Sequence, residues 1–253
     1  MKGDLVLSVV SHGQRGILLT LLDDLQRNVG TPFRLIVTEN IPEDLDLLVA
    51  GYRFEIDVIR NVRPKGFGAN HNTALTRAKS DFFCVLNPDL RISADPFPSL
   101  ISVLANAQIG VVSPSVTASD LSPEDHARSF PSAFTLAAKV FGHRPRVVPP
   151  DGRTIYHPDW VAGMFMLFRT ETLRSLGGFD ERYFLYYEDV DLCARLRDKG
   201  MEVAVCASTS VIHDARRASR RNFRYALWHL CSAARFLASR PRIALGLRTG
   251  LRN

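Results

Sequence analysis

The sequence predicts an α/β protein with a mainly parallel central sheet flanked by helices. Short apolar runs that end in polar clusters alternate with segments whose leucines recur at helical spacing. Such alternation is typical of parallel sheets with helices on both faces. Of the 253 residues, 46% are hydrophobic and 23% are charged, which allows a core of this kind and excludes extensive disorder.

The first half of the chain has the pattern of repeating strand–helix units. Leu5–Val10 and Phe33–Val37 are short, mostly apolar runs typical of buried strands, and the leucines from Ile17 to Arg27 predict a helix between them. The same pattern then predicts a strand, a helix and a further buried strand: Glu55–Ile59, Ala69–Ala78 and Phe82–Leu86.

The second half is irregular before clear elements return. Seven prolines between Ser113 and Pro158 break any long element, and loops of this length inside a domain are usually functional. The remaining elements are predicted as a strand, two helices, a further strand and a last helix: Trp160–Arg169, Thr170–Leu176, Asp189–Lys199, Met201–Cys206 and Asn222–Ser239.

The net charge of +6 is concentrated at the C-terminus. From Ala215 to Asn253 the chain carries ten arginines and no acidic residue, which favours anionic partners such as phospholipid headgroups or lipid diphosphates. Aromatic and basic residues interleave there only around Phe223 and Trp228, so we expect no nucleic-acid binding. Two interpretations stay open: the segment contacts an anionic membrane, or its helix packs an apolar face on the domain. That face comprises Phe223, Leu227, Leu230, Ala234 and Leu237.

Cysteine usage and hydropathy indicate a cytoplasmic protein. The four cysteines (84, 193, 206 and 231) form no CxxC pair and are typical of buried thiols in a reducing compartment. The first apolar run is too short for a signal peptide, and no run approaches the roughly 18 residues of a spanning helix. We therefore expect any membrane contact to be peripheral, at the inner membrane face.

One acidic candidate stands at the end of a predicted strand. Asn87-Pro88-Asp89 follows Phe82–Leu86, and ligands of parallel sheets bind at such carboxyl ends. An acidic side chain there can bind Mg²⁺ or Mn²⁺, which prefer oxygen ligands and accept substrate phosphates as further ligands. Asn-Pro-Asp is also favoured turn chemistry, so a purely structural turn is the alternative.

A second acidic cluster follows the aromatic run Tyr183–Tyr187, and it comprises Glu188, Asp189 and Asp191. Aromatic surroundings and a neighbouring like charge both raise a carboxyl pKa towards the range of a general base. The alternative is an ordinary helix N-terminus, where Asp and Glu are favoured in the first turn.

Two further signals each have an ordinary structural explanation. His213 follows a predicted strand, where an imidazole can bind a metal or contact phosphate, although a lone histidine is more often structural. The stretch from Lys65 to Asn72 contains Gly66 and Gly68, which allow close approach of a nucleotide, but a loop-to-helix junction explains Gly-x-Gly equally well.

Together these fragments resemble glycosyltransferase family 2, and especially its bacterial rhamnosyltransferase-like branch. The matching stretches keep the family's order and spacing from about Leu5 to His213. They are Glu39-Asn40, Asn61–Asn72, Leu86-Asn87-Pro88-Asp89, Val161-Ala162-Gly163, Gly177–Glu181 and Phe184–Leu192, of which the last three are the most specific.

The resemblance implies a GT-A fold, a nucleoside-diphosphate-sugar donor, Mg²⁺ or Mn²⁺, and inversion at the anomeric carbon. Asp189 matches the catalytic base of the family's Glu-Asp motif, and Glu188 would orient the acceptor or tune its neighbour. Asp89 matches the last acid of the metal-binding Asp-x-Asp motif, with His213 as the second candidate metal ligand. Donor contacts are expected from seven residues: Glu39, Asn40, Lys65, Gly66, Asn70, Asn87 and Gly163.

The chain departs from the family pattern at two positions of the donor site. Asn87 replaces the first acid of Asp-x-Asp, which leaves Asp89 as the main carboxylate for the metal. Ser11-His12-Gly13 stands where the family commonly has Thr-Tyr-Asn, whereas Glu39 matches the acid that contacts the nucleotide base. The branch implies L-rhamnose from dTDP-rhamnose as the sugar, and a cell-surface glycan or lipid-linked saccharide as the acceptor.

We therefore expect a GT-A domain over residues 1–214, with a Rossmann-like nucleotide-sugar-binding half over 1–112 and an acceptor half over 113–214. A basic helical extension is expected over 215–253. Two other functions stay open. The Asn87 substitution fits a nucleotide-sugar-binding module that has lost activity. A sugar-phosphate nucleotidyltransferase can share the α/β core, although no glycine-rich, basic phosphate loop follows the first strand.

Overall fold

The secondary structure is taken from a computed structural model, which describes residues 4–45, 51–135, 153–214 and 223–246. Within these ranges the strands are β1 (Leu5–Ser11), β2 (Arg34–Glu39), β3 (Ile56–Arg60), β4 (Phe82–Leu86), β5 (Leu90–Arg91), β6 (Ile109–Ala118), β7 (Ala127–Arg128), β8 (Ile155–Tyr156), β9 (Trp160–Val161), β10 (Phe165–Arg169) and β11 (Glu202–His213). The helices are α1 (Arg15–Asn28), α2 (Phe67–Arg77), α3 (Phe97–Leu104), α4 (Thr170–Ser175), α5 (Glu188–Asp198), α6 (Phe223–Ser239) and α7 (Pro241–Ala244).

The central sheet of the described residues has nine strands in the order β3-β2-β1-β4-β10-β6-β11-β5, with β8 paired to β11 outside this path. β1 is parallel to β2 and β4, and β2 is parallel to β3. β10 runs antiparallel to β4 and β6, and β11 is parallel to β6. Six strands (β1–β4, β6 and β11) therefore point the same way, which confirms the mainly parallel sheet. The predicted boundary between the two halves, after residue 112, falls within β6.

Helices cover both faces of the sheet, as the alternation in the sequence predicts. β4 is buried along its whole length, and its side chains alternate between two apolar clusters. Phe82 and Cys84 join α1 and α3 on one face, whereas Phe83 and Val85 join α2 and α5 on the other. Each fully buried side chain of this size contributes roughly 1.5–3 kcal/mol through the hydrophobic effect. The apolar strand at the centre therefore holds the two helical layers together.

Two predictions for the second half of the chain are wrong in detail. Trp160–Arg169 is not one strand but β9 and β10, because β9 pairs with β7 in a separate two-stranded sheet while β10 enters the main sheet. The proline-rich stretch also contains more strand than predicted, since β6 continues through Pro114. β10 pairs only with Val111 and Val112 of β6, so at Pro114 the described strand has β11 as its main-sheet partner, and proline is tolerated where a strand becomes an edge. Residues 136–152, with Pro145, Pro149 and Pro150, lie outside the described residues.

The C-terminal helix α6 packs on the domain mainly through residues outside the apolar face identified in the sequence, and of that face Leu237 is partly buried there. Ser232, Ala233 and Phe236 are its buried residues, whereas Phe223, Leu227 and Leu230 are exposed. The reason is that the surface beneath α6 is the aromatic run before α5, whose Tyr183 and Tyr187 form one apolar cluster with Ala233 and Phe236. Arg216, Arg217, Arg220, Arg221, Arg248, Arg252 and the predicted helix start at Asn222 lie outside the described residues.

Cysteine burial follows the same packing. Cys84, Cys193 and Cys206 are buried free thiols, as predicted, and burial raises the pKa of Cys193 to about 12. Cys231 is exposed, so the prediction of a buried thiol is wrong at this position, because α6 turns that residue away from the domain. Among the described residues, no helix combines the length and the apolar character needed to cross a membrane.

Candidate active site

Strands that point the same way end at one edge of the sheet, and this edge joins Asp89 to His213. β5 follows β4 after the Asn87-Pro88-Asp89 turn and pairs antiparallel with the end of β11, which puts Leu90 opposite His213. The backbone N–H of Asp214 also donates to the carbonyl oxygen of Asp89, at 2.9 Å. As a result, Oδ2 of Asp89 lies 3.2 Å from Nε2 of His213. The two residues predicted to bind a metal are therefore neighbours.

The imidazole of His213 lies between two carboxylates. Its Nδ1 is 3.8 Å from Oε1 of Glu124, a residue of the irregular stretch that the sequence does not single out. Burial lowers the pKa of His213, but the hydrogen bond and charge of Asp89 and the charge of Glu124 outweigh burial, so the net pKa is raised. This edge of the sheet therefore attracts positive charge, whether a protonated imidazole or a metal ion.

The donor atoms at this edge fit a divalent cation. In the described part of the chain, Oδ1 of Asp89 and Nδ1 of His213 are buried and make no hydrogen bond. A carboxylate oxygen suits Mg²⁺ and Mn²⁺, and a neutral imidazole nitrogen is a common ligand of divalent metals. Within the same described ranges, no group of three or more His, Cys, Asp or Glu side chains surrounds a common point. Water or substrate oxygens would therefore supply most of the ligands.

Asn87 is anchored at the end of β4. Its backbone N–H donates to the carbonyl oxygen of Met164, in the turn between β9 and β10, at 2.9 Å. The residue that replaces the first acid of the family's metal motif therefore keeps a fixed backbone position next to Asp89. An amide side chain brings no negative charge, so the charge for a cation comes from Asp89.

Three asparagine side chains hold the loop that begins at Lys65. Asn40 Oδ1 accepts from the backbone N–H of Lys65 at 2.8 Å, and Asn40 Nδ2 donates to the Lys65 carbonyl at 3.0 Å. Asn61 Nδ2 donates to the side-chain oxygens of Asn40 and Asn70, at 2.8 and 2.6 Å. Asn40 and Asn70 were expected at the donor, and the structure shows that their amides already bind this loop. Asn61 also binds at this loop. The sequence did not mark it individually, because hydrogen bonds between side-chain amides produce no pattern of residue spacing.

Glu39 is buried at the end of β2 and binds the loop that follows it. Its Oε1 accepts the backbone N–H groups of Glu43 and Asp44, the second at 2.9 Å. Its Oε2 lies 3.3 Å from Nε of Arg60, at the end of the neighbouring strand β3. Glu39 therefore shapes the wall of the site beside β1 and β2, and its contact with a nucleotide base stays a prediction.

Gly66 and Gly163 allow two protein segments to meet at the site. A Cβ on Gly66 would lie 2.6 Å from the carbonyl oxygen of Phe184, and the next residue, Phe67, donates its N–H to that oxygen at 2.9 Å. A Cβ on Gly163 would lie 3.0 Å from the ring of Phe67. Close packing of the protein on itself thus accounts for both glycines, and the loop-to-helix junction is confirmed, with Gly66 as the residue before α2.

Asp189 is held in a defined orientation in the first turn of α5. Its Oδ2 accepts the backbone N–H of Gly163 at 2.9 Å, and its Oδ1 accepts the N–H of Val190 at 2.8 Å. Tyr186 and Tyr187 enter the helix with φ of +70° and +69°, a left-handed conformation that costs roughly 1–2 kcal/mol per residue. Such backbone strain persists where surrounding contacts enforce it, and it is common at functional sites.

Glu188 and Asp189 differ in how strongly their protons are held. Burial and the charge of Asp189 raise the pKa of Glu188 well above its ordinary value, and Oε2 of Glu188 makes no hydrogen bond among the described residues. Burial also raises the pKa of Asp189, but the N–H groups of Gly163 and Val190 and the charge of Arg128 oppose the rise. We therefore infer that Glu188 retains its proton more readily than Asp189, whose charged form is stabilised by the two N–H groups.

Arg128 is a site residue that the sequence pattern did not reveal. It lies in β7, opposite Trp160 of β9, and its guanidinium stands 5.7 Å from the centre of the Trp160 ring. Burial raises the pKa of both Asp189 and Tyr187, and the charge of Arg128 opposes part of each rise. Arg128 falls in the irregular stretch between the two halves, where neither periodicity nor a motif marks it.

Comparison with known proteins gives the same family as the motifs. The model of a family described as "Glycosyltransferase like family 2" matches residues 37–228. The rhamnosyltransferase WbbL of Escherichia coli is 30% identical over 250 residues, which cover 93% of this chain and 92% of WbbL. An N-acetylglucosaminyl-diphospho-decaprenol L-rhamnosyltransferase of Mycobacterium tuberculosis is 30% identical over 146 residues, or 53% of this chain and 47% of that protein.

The fold also has a solved counterpart. The crystal structure of GalNAc-T7 with UDP, GalNAc and Mn²⁺ superimposes with a TM-score of 0.74 at 14% sequence identity, covering 87% of this chain and 45% of GalNAc-T7. This likeness confirms the predicted GT-A fold. The chain therefore belongs to glycosyltransferase family 2, as an enzyme with rhamnosyltransferase homologues.

Proposed function

We propose that the protein is an inverting, metal-assisted glycosyltransferase. It moves a sugar from a nucleoside-diphosphate donor to a hydroxyl of a cell-surface glycan or lipid-linked saccharide. The observation that carries this proposal is the carboxylate of Asp189, which two backbone N–H groups hold at 2.9 and 2.8 Å beside the more proton-retentive Glu188. A partly desolvated, ionised and oriented carboxylate is what deprotonation of an attacking hydroxyl requires.

Asp189 acts as the base in a single displacement. The acceptor oxygen attacks the anomeric carbon from the face opposite the diphosphate, and Asp189 takes the hydroxyl proton as the new C–O bond forms and the bond to the diphosphate breaks. Glu188 keeps its proton, so it places no second negative charge beside the attacking oxygen. The N–H of Gly163 keeps the carboxylate of Asp189 from rotating away.

Asp89 and His213 would hold the Mg²⁺ or Mn²⁺ ion. When bound, the ion stabilises the negative charge that develops on the departing diphosphate, an effect worth several kcal/mol. His213 must be neutral to act as a ligand, so metal binding would replace its present ion pair with Asp89. The buried and unpaired Oδ1 of Asp89 supports this assignment.

The donor lies, in this proposal, along the ends of β1, β2 and β4. Glu39 faces the nucleotide base. Asn40 and Asn70 act by shaping the loop of Lys65 and Gly66, because their amides are already committed to it. Asn87 and Gly163 border the sugar and diphosphate. L-rhamnose from dTDP-rhamnose is the proposed sugar. It is supported by two relatives named rhamnosyltransferases, one similar over most of this chain and one over about half of it.

The acceptor is proposed to be a saccharide on a polyprenyl diphosphate. The Mycobacterium tuberculosis relative is named as a rhamnosyltransferase of N-acetylglucosaminyl-diphospho-decaprenol, and we extend the chemical class of that acceptor to this chain. Such an acceptor stays at a membrane surface, so the enzyme works at the cytoplasmic face of the inner membrane. Peripheral contact would come from the segment 215–253, because each arginine near an anionic bilayer contributes about 1 kcal/mol.

Release of nucleoside diphosphate tests the proposed reaction. The purified chain is incubated with dTDP-, UDP- or GDP-sugars, a polyprenyl-diphosphate saccharide and Mn²⁺ or Mg²⁺. We expect release with dTDP-rhamnose that depends on metal and acceptor, and a product whose anomeric configuration is inverted by NMR. Retention of configuration, or turnover undiminished by a chelator, would overturn the mechanism.

An inactive nucleotide-sugar-binding module is the second candidate, and the observation that favours it is Asn87 in place of an acid. In that case donor and Mn²⁺ raise the melting temperature, because a ligand of the folded state stabilises by RT ln(1 + [L]/Kd), yet no diphosphate is released. Thermal shift and diphosphate release, measured on the same donors, therefore separate the two candidates.

A further inference from the structure

Exposed apolar side chains of the described residues are concentrated at the C-terminus. Four of the nine large hydrophobic residues that are exposed belong to the range 223–246: Phe223, Leu227, Leu230 and Leu245. Phe223 is 80% exposed, Leu227 48% and Leu230 66%. Single exposed apolar residues are normal on a soluble protein, but a contiguous set marks an interaction surface.

Helical spacing places the exposed residues of α6 on one face. With about 100° per residue, Phe223, Leu227, Leu230 and Ala234 fall in one stripe along the helix, which we call the outer stripe. The opposite face packs on the domain through Ser232, Ala233 and Phe236, and Ser232 Oγ donates to the carbonyl oxygen of Leu185 at 3.0 Å. The helix is thus buried on one side and apolar on the other, whereas an ordinary surface helix turns a polar face outward.

Positive charge borders the outer stripe. Arg224 and Arg235 follow one edge of it at helical spacing, and the guanidinium of Arg224 lies 5.7 Å from the centre of the Trp228 ring. The whole segment from Ala215 to Asn253 has ten arginines and no acidic residue. Apolar side chains flanked by arginine and tryptophan match the headgroup boundary of an anionic bilayer, where the chains enter the acyl region and the charges meet phosphate.

We propose that α6 docks the enzyme on an anionic membrane by inserting the outer stripe into the lipid interface. This rests on the proposed peripheral contact and deepens it, because it assigns part of the affinity to Phe223, Leu227 and Leu230 and only the remainder to the arginines. The bilayer is the occupant that satisfies both observations, because its acyl region accepts the apolar side chains and its anionic headgroups complement a segment with ten arginines and no acidic residue.

Docking in this way brings the catalytic base close to the membrane. Tyr187, two residues before Asp189, packs against Phe236 on the inner face of α6, with ring centres 5.7 Å apart. Phe184 stacks on Trp228 at 4.8 Å. Only the thickness of α6, about 10–12 Å, would then separate the aromatic run from the lipid surface. A saccharide on a membrane-bound diphosphate would need no long reach to meet Asp189.

The test is co-sedimentation with phosphatidylcholine vesicles that contain or lack phosphatidylglycerol, without donor, acceptor or metal. The stripe variant Leu227→Gln/Leu230→Gln is compared with a matched control, Leu121→Gln/Phe134→Gln, which removes two exposed apolar residues elsewhere. We expect wild type and control to bind anionic vesicles within about twofold of each other. The stripe variant should partition about tenfold less, because two buried leucines supply at least that factor.

A label on Cys231 gives a second readout that needs no substitution. This cysteine is exposed beside the outer stripe, whereas the other three are buried, so an environment-sensitive fluorophore attaches selectively to it. We expect a blue shift of emission with anionic vesicles that persists in part at high salt, because insertion is not purely electrostatic.

Several outcomes would overturn the inference. The stripe variant could bind anionic vesicles as well as wild type, or the control variant could lose as much binding as the stripe variant. Wild type could bind neutral and anionic vesicles equally, or the label on Cys231 could show no emission shift. If Arg216→Gln/Arg217→Gln/Arg220→Gln/Arg221→Gln abolishes binding while the stripe variant binds fully, the arginines alone dock the enzyme. A dimer in sedimentation velocity that the stripe variant dissociates, without vesicle binding by wild type, would assign the outer stripe to a second copy of the chain. None of these results depends on glycosyl transfer.

Discussion

The backbone N–H of Gly163 donates a hydrogen bond of 2.9 Å to Oδ2 of Asp189, and this contact joins the turn after β9 to the first turn of α5. A side chain at Gly163 would press on Phe67, whose own N–H binds the carbonyl oxygen of Phe184. The loop proposed to border the donor and the segment that carries the base are therefore packed directly on each other.

The first prediction is that Asp189→Asn lowers sugar transfer by about 10²–10⁴-fold, the range expected for loss of a general base. Donor binding should change little, because Asn can still accept the Gly163 N–H. Diphosphate release measures the first effect, and the donor-induced thermal shift measures the second.

The matched control for the base is Glu171→Gln, which neutralises an exposed acid in α4 and should keep wild-type turnover. Turnover of Asp189→Asn above about a tenth of wild type would remove Asp189 from the role of base, since a residue essential to proton transfer cannot be lost at so small a cost.

The second prediction concerns stability and pH at Glu188. Its pKa in the folded state is raised by burial and by the charge of Asp189, so its favourable contribution is complete below the unfolded value of about 4.5 and is lost as pH rises through the folded pKa. Glu188→Gln should therefore raise Tm at pH 8, by about 2–4 °C for each kcal/mol gained, and leave Tm unchanged near pH 4. A difference in Tm that stays constant from pH 4 to pH 8 would contradict the assigned proton.

The third prediction is that Asp89→Ala weakens Mn²⁺-dependent donor binding more than His213→Ala does. Asp89 is the main charged ligand, because Asn87 brings no charge, whereas His213 contributes one neutral nitrogen. We expect about tenfold or greater loss for Asp89→Ala by calorimetry. His157→Ala is the histidine control, since His157 pairs with Glu202 instead of with the candidate metal ligands. Unchanged affinity in Asp89→Ala would remove that residue from the metal.

The fourth prediction uses two glycines with opposite surroundings. Gly66→Ala should destabilise the protein by roughly 1–3 kcal/mol and reduce turnover, because its Cβ would meet the backbone of Phe184 at 2.6 Å. Gly16→Ala, in the first turn of α1 with no atom within 4 Å of the added Cβ, should instead stabilise by roughly 0.5–1 kcal/mol. Urea denaturation checks both. A neutral Gly66→Ala would show that the two segments are free to separate.

The central strands and the acidic motifs could be predicted from the sequence, because both are set by residues that are adjacent in the chain. β4 is an unbroken apolar run, which is the pattern expected for a strand buried on both faces. Glu188-Asp189 after an aromatic run allows either a helix start or a general base; the helix start is confirmed by the first turn of α5, and the role of base stays a prediction.

Other structural features depend on which part of the folded protein an element packs against. The residues of α6 that face the domain are set by the aromatic run beneath it, so helical periodicity identified an apolar face but left open which surface that face meets. Likewise, nothing in Trp160–Arg169 shows that β9 leaves the main sheet to pair with β7.

The sequence by itself determined the α/β class, the order of the motifs and the choice of Asp89 and Asp189 as candidate site residues, because buried apolar runs and motif spacing are properties of the chain alone. Only the tertiary structure decided that His213 stands 3.2 Å from Asp89, that the charge of Arg128 opposes the burial-driven rise in the pKa of Asp189, and that the amides of Asn40 and Asn70 bind a loop. The physical reason is that these relationships join residues distant in sequence. Strand pairing and packing bring these residues close enough to form hydrogen bonds and to affect each other's charge. No pattern of neighbouring residues in the chain predicts this.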